Sequence, residues 1–266
     1  MKDLHVLLLQ TAPVWNDPDA SIAMVEDLLE RADSDGLLDG IDLIALPEMW
    51  TTGFTLEPLC SRESPTLGPG FLAMARWANR WNSAVAGSLA VQTAEHQFAN
   101  RMHFVEPSGR CSTYDKRHLF GLGGETQVYR PGSERVEVTW RGWRILLLIC
   151  YDLRFPIFSR NLGTPPYNVA LYSACWPAPR IAAWDILLAA RAIENQCYVV
   201  GVNRCGEEPG PLLYPGHSRA LSPLGEVLAS APDHQPQALR CTLSASSLTD
   251  LRVRLPFLQD GDRPMY

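Results

Sequence analysis

Three reactive side chains stand just beyond the ends of runs that read as strands. Glu48 follows residues 41–46 in Leu46-Pro47-Glu48-Met49, Lys116 follows Thr113-Tyr114-Asp115, and Cys150 follows the unbroken apolar run 145–149. A cysteine at such a point is held by the strand behind it and presented by the turn in front of it, which suits a nucleophile. Taken alone, the stretch 143–156 fits a buried packing cysteine better, as most free cysteines are. What decides between the two is whether other groups can join it.

The chemistry of the trio is coherent. A thiol is mostly protonated near neutrality and needs a base or a neighbouring cation to become a thiolate. Glu48 can take the proton. Lys116 can stabilise the thiolate and then the oxyanion formed when a carbonyl carbon is attacked. The N–H of Tyr151, next after the cysteine, can supply a second oxyanion donor. No histidine is needed. A glutamate or lysine after a strand is also commonly a solvated loop residue, so position by itself leaves both readings open.

Bringing the three together is the task of the elements around them. Residues 5–9, 41–46, 84–91, 97–105, 145–149, 169–174 and 197–203 read as strands, most of them near-continuously apolar. Pro18 and Pro69 open helical patterns, residues 155–161 suit a short helix, and 184–195 form a longer one. A hairpin over 134–149 delivers Cys150. Shorter strands around 218–221, 226–229 and 238–243 and a helix over 244–251 complete the chain. Alternating strands and helices with apolar strands make the fold class α/β. Many strands and few helices predict two packed sheets with helices on the outer faces. Ligands gather beyond the carboxyl ends of such strands, so the three groups can share one crevice.

Composition narrows the function class. The chain has 266 residues, enough for a large core, with 46% hydrophobic and 20% charged residues and a net charge of −6. That balance disfavours nonspecific binding to nucleic acid or to an anionic membrane. No apolar stretch is long enough to span a bilayer, and residues 1–6 enter a strand pattern without a signal-peptide core. Seven cysteines, without a CxxC pair, fit a reducing cytoplasm better than a disulfide scaffold or zinc site. The six histidines (His5, His96, His103, His118, His217, His234) lack the pairing of a helical metal site.

Four segments, in order, resemble the nitrilase superfamily of carbon–nitrogen hydrolases. They are Leu46-Pro47-Glu48-Met49, the run from Tyr114 to Phe120 (YDKRHLF), the run from Ile149 to Pro156 (ICYDLRFP), and Arg191-Ala192-Ile193-Glu194-Asn195-Gln196. The resemblance runs from about residue 4 to about 250 and assigns Cys150 as the nucleophile. EMWTTGF at 48–54 and WPAPR at 176–180 are similar to the bacterial ω-amidase branch. That branch hydrolyses the terminal amide of 2-oxoglutaramate or 2-oxosuccinamate to the 2-oxo acid and ammonia. A carbamoylase or general aliphatic amidase is the nearest alternative, and a non-catalytic scaffold on the same fold a more distant one.

The resemblance further implies one domain over 1–266 with a C-terminal tail from about 244, folded as a four-layer α-β-β-α sandwich. It implies a homodimer, a small-molecule amide substrate and no metal or organic cofactor, and it makes Glu125 a second, catalytic glutamate that orients Lys116 and helps position the amide and its leaving nitrogen. Phe54, Tyr151 and Trp176 are expected to wall the pocket. Arg180 is the expected receptor of the substrate carboxylate, with Arg154 and Arg204 as other candidates. Arg154 lies close behind the nucleophile, where a structural ion pair competes with that role. Cys175 occupies a position where the family leads one to expect asparagine, as a pocket residue or as a filler.

Overall fold

The structure is a computed structural model and describes residues 1–64, 67–93, 97–210 and 212–261. His96 and the last five residues of the expected tail lie outside the described residues. The first half of the chain runs β1 (Leu4–Gln10), α1 (Pro18–Ser34), β2 (Leu43–Ala45), α2 (Pro69–Arg80), β3 (Ala84–Gln92), β4 (Phe98–Val105), β5 (Cys111–Asp115) and α3 (Glu125–Val128). The second half runs β6 (Glu137–Trp140), β7 (Trp143–Ile149), α4 (Pro156–Ser159), β8 (Val169–Ala174), α5 (Ile181–Asn195) and β9 (Tyr198–Asn203). It closes with β10 (Cys205–Glu208), β11 (Leu212–Pro215), β12 (Arg219–Leu221), β13 (Val227–Ser230), β14 (Gln237–Leu243) and α6 (Ala245–Arg254).

Two six-stranded sheets result, in the orders β14-β1-β2-β3-β4-β5 and β13-β12-β9-β8-β7-β6. Each has a parallel centre, β1-β2-β3 in one and β7-β8-β9 in the other, flanked by antiparallel strands. Parallel strands must be covered on both faces, and the side-chain alternation shows how. In the first sheet Val6, Leu8, Leu43, Ala45, Ala84 and Ala86 pack toward the second sheet. Their neighbours Leu7, Leu9, Ile44 and Val85 pack against α1 and α2 through Val25, Leu29, Met74 and Trp77. On the far side α5 lies on β9 so closely that a Cβ on Gly201 would stand 2.7 Å from a methyl of Leu188. The layers are therefore helix, sheet, sheet, helix.

The expected strands and helices are found with small shifts of their ends. Helix α5 starts at Ile181 rather than at residue 184, and the two-stranded hairpin of β10 and β11 was not anticipated. That hairpin is short and broken by glycines and prolines, so no apolar alternation announces it.

Candidate active site

The parallel strands of both sheets end toward one crevice. Beyond β2 the chain turns through Pro47 into Glu48, and Met49 takes a left-handed φ of 42°. Beyond β7 it turns at Cys150, whose φ is 43°, into a 3₁₀ turn over Cys150–Arg154. A left-handed conformation costs a non-glycine residue roughly 1–2 kcal/mol. Both turns therefore depend on surrounding bonds to hold them. Lys116 follows β5 directly, its N–H donating to the carbonyl of Asn100 on β4 at 2.9 Å.

Lys116 Nζ donates to Glu48 Oε1 at 2.8 Å and to Glu125 Oε2 and Oε1 at 2.8 and 3.0 Å. Between the two carboxylates lies Asn100, whose Nδ2 donates to Glu48 Oε1 at 2.7 Å and Glu125 Oε1 at 2.9 Å. The other oxygen of Glu48 accepts from the Cys175 N–H at 2.7 Å, and the Cys175 thiol donates to the Glu48 carbonyl at 3.2 Å. Glu125 stands at the start of α3, where Gly124 takes a φ of 82° to turn the chain into the helix. Its Oε2 also accepts from the Phe120 N–H at 2.6 Å. Glu48, Asn100, Lys116 and Glu125 are all 0% exposed.

Burial works against the Lys116 ammonium, but the Glu125 and Glu48 carboxylates beside it prevail and hold its pKa well above the ordinary lysine value. The Glu125 carboxyl is pushed up by burial, with Lys116 opposing. Burial, and then the neighbouring Glu48 carboxylate, also push the Cys150 thiol well up, with Lys116 opposing. The resting thiol is therefore neutral, and it donates to the Cys175 carbonyl at 3.8 Å. Burial thus disfavours a free thiolate, and a base beside the thiol is needed to take its proton.

The crevice opens above Cys150 between Phe120, Tyr151, Arg154, Cys175, Trp176, Pro177 and Arg180. Phe120 and Tyr151 meet edge to face at 5.1 Å. The Arg154 guanidinium lies 4.9 Å over Trp176, and that of Arg180 lies 5.1 Å over Phe120. Among the described residues neither arginine forms an ion pair with a carboxylate. The structural ion pair considered for Arg154 is thus replaced by a place on the pocket wall. Arg204 points elsewhere: it is buried against Glu208, whose Oε1 also accepts from the Phe54 N–H at 2.9 Å. Phe54 is half-buried, with Lys116 Nζ 5.6 Å from its ring, and is not among the residues that line this crevice.

The structure thus gathers Glu48, Lys116, Glu125 and Cys150 at one point, with Tyr151, Trp176 and Arg180 around its mouth and Cys175 against Glu48. Sequence reasoning missed Asn100 and Phe120. Asn100 sits on a strand whose neighbours are apolar or cationic, and an inward amide there was a signal that could have been weighed. Phe120 stands at the end of the lysine segment, where the sequence pattern gives it no role of its own.

Comparison with known proteins finds relatives along almost the whole chain. A family model described as carbon–nitrogen hydrolase matches residues 6–252. The chain is 44% identical to the omega-amidase YafV of Escherichia coli (strain K12) over 262 residues, covering 98% of each. It is 32% identical to the 2-oxoglutaramate amidase of Bacillus subtilis (strain 168), covering 95% of each. A crystal structure of a CN-hydrolase superfamily protein from Xanthomonas campestris, with an arsenic adduct in its active site, superposes with a TM-score of 0.94. That protein is 38% identical, and all of each chain is covered.

Proposed function

The chain belongs to the carbon–nitrogen hydrolase family, and from that premise we propose that it is an ω-amidase. It cleaves the terminal amide of a 2-oxo dicarboxylate monoamide, 2-oxoglutaramate or 2-oxosuccinamate, to the 2-oxo acid and ammonia. The observation that carries the choice of substrate is the pair Arg154 and Arg180, two guanidiniums without carboxylate partners among the described residues, on the wall above Cys150. An anionic group at the far end of the substrate would meet them while the amide reaches the thiol. The omega-amidase and 2-oxoglutaramate amidase relatives support the same reading.

In the first step Cys150 Sγ bonds to the amide carbon as Glu48 takes its proton. The carbonyl π electrons move onto oxygen, where Lys116 and the Tyr151 N–H stabilise the charge. Collapse of the tetrahedral species breaks the C–N bond, and Glu48 returns the proton to the departing nitrogen, which leaves as ammonia. The remaining thioester is attacked by water, deprotonated by Glu48, and the acid leaves as the Cys150 thiol is restored. Splitting the cleavage this way replaces one high barrier by two lower ones. Glu125 and Asn100 hold Lys116 and Glu48 in register, and Glu125 helps to position the amide and its leaving nitrogen.

The reading extends to the setting of the enzyme. Seven unpaired cysteines suit a reducing cytoplasm. An apolar stripe on the outer face of α5, with Ile186 and Ile193 68% and 54% exposed, suits a homodimer. The test of function is ammonia release from a panel of 2-oxoglutaramate, 2-oxosuccinamate, N-carbamoyl amino acids and simple aliphatic amides. The 2-oxo monoamides should be turned over with the highest kcat/KM. Preference for a carbamoyl amino acid or an uncharged amide would overturn the assignment.

A further inference from the structure

Cys150 and Lys116 arrive on different sheets, yet the reaction requires their relative positions to be held to within about 0.5 Å. We propose that Asp152 is the positioning residue that clasps the two sheets together at this point, through Tyr114 and His118. The inference rests on the acyl-transfer reading of the site. Asp152 is fully buried, lies on the 3₁₀ turn that begins with Cys150, and is absent from the crevice wall.

A carboxylate offers about four acceptor positions, and Asp152 has a donor for each. Its Oδ2 accepts from the N–H of Ile149, the residue before the nucleophile, at 2.9 Å. The same oxygen accepts from the hydroxyl of Tyr114, two residues before Lys116, at 2.7 Å. Its Oδ1 accepts from the His118 N–H at 3.0 Å and faces His118 Nδ1 at 2.8 Å, which donates when that nitrogen carries the proton. The Tyr114 oxygen in turn accepts from the Arg117 N–H at 3.0 Å. Every donor except Ile149 comes from residues 114–118, the segment that carries Lys116.

The His118 ring adds a second fastening. It stacks on Phe155 at 3.8 Å and 7° and meets Phe158 edge-on at 5.2 Å, both just beyond the nucleophile turn. One oxygen of Asp152 therefore joins the main chain of the nucleophile elbow to the side chain leading into Lys116. The other holds the peptide leaving Lys116. These bonds also offset the left-handed conformation of Cys150. In an asparagine at 152 the amide nitrogen replaces one acceptor oxygen, so at least one buried N–H of the elbow or the lysine segment loses its partner.

The test uses D152N, Y114F and the double variant in the full chain, with two readouts. These are kcat and KM for 2-oxoglutaramate, and the rate at which iodoacetamide alkylates Cys150, followed by peptide mass spectrometry. A displaced catalytic group costs about 100-fold in rate. D152N should accordingly lose about that much kcat with KM within about threefold, and its Cys150 should alkylate at least about tenfold more slowly. Y114F should lose about tenfold in kcat, and the double variant should be no slower than D152N. Folded D152N and Y114F with wild-type kcat and wild-type alkylation, whatever their melting temperatures, would overturn the clasp. So would fully additive losses in the double variant. Should D152N fail to fold, the kcat and alkylation rate of Y114F decide. A wild-type enzyme inert toward 2-oxoglutaramate would instead refute the functional reading, and the alkylation rates would still judge the clasp.

Discussion

At the scale of single residues, the site is a small set of charges kept dry and paired. Lys116 is shared by Glu48 and Glu125, and Asn100 bridges the same two carboxylates. Cys150, Glu48 and Lys116 were legible because each stands just beyond a strand end and because segments around them match a known pattern. Asn100 was not, since its role depends on a cross-strand neighbour, and the lysine segment pairs with β4 only in the folded sheet. The mouth arginines show the same limit: sequence neighbours did not reveal that Arg204 meets Glu208 while Arg154 and Arg180 lie over aromatic faces. If Arg154 and Arg180 receive the substrate carboxylate, R180Q and R154Q should each raise KM for 2-oxoglutaramate. The expected rise is about 10- to 100-fold, the worth of a hydrogen bond to a charged group. Activity toward a small uncharged amide should change little. Steady-state assays on both substrates check this, and an unchanged KM removes that arginine from the pocket's function.

At the scale of elements, turns place the chemistry and caps hold the turns. Helix α2 shows how indirect a cap can be. Its N-cap is Gly68, without a side chain to offer, and Glu63 from the preceding segment accepts the N–H groups of Gly70 at 2.6 Å and Phe71 at 3.3 Å. Gly68 suits the close approach there, because a Cβ would press on the Glu63 carboxylate and stand 2.8 Å from the Glu63 Cα. Burial raises the Glu63 carboxyl to about 7, above its ordinary 4.5. The folded chain thus keeps a proton on Glu63 where the unfolded chain has lost it, so this group's stabilisation falls as pH rises from about 4.5 to about 7. E63Q should remove that fall. Between about pH 5 and about pH 8 its unfolding free energy should decline on the order of 2 kcal/mol less than that of the wild type. Urea unfolding at the two pH values measures the difference, and parallel declines in both proteins would contradict it. The start of α2 was legible from Pro69, but its cap was not, because Glu63 lies outside any short capping pattern.

At the scale of the whole molecule, two sheets of like construction are set face to face so that their strand ends converge. The layer order followed from strand count and apolar runs, and it was legible in advance. The placement of β14 beside β1 was not: it joins residues 237–243 to residues 4–10 through seven antiparallel pairs that no local pattern encodes. The outer face of α5 remains apolar at Ile186 and Ile193. If that face joins two copies, I186K should shift the protein from dimer to monomer in sedimentation velocity at micromolar concentration, and a wild-type monomer would exclude the dimer. All of this architecture serves one claim, that Cys150 forms the acyl-enzyme with an ω-amide. Ammonia release from 2-oxoglutaramate by the wild type and by C150A, side by side, tests it most directly. The wild type should release ammonia catalytically and C150A should fall by at least about 1000-fold, a loss of about 4 kcal/mol in transition-state stabilisation. C150A retaining the wild-type rate would contradict the claim.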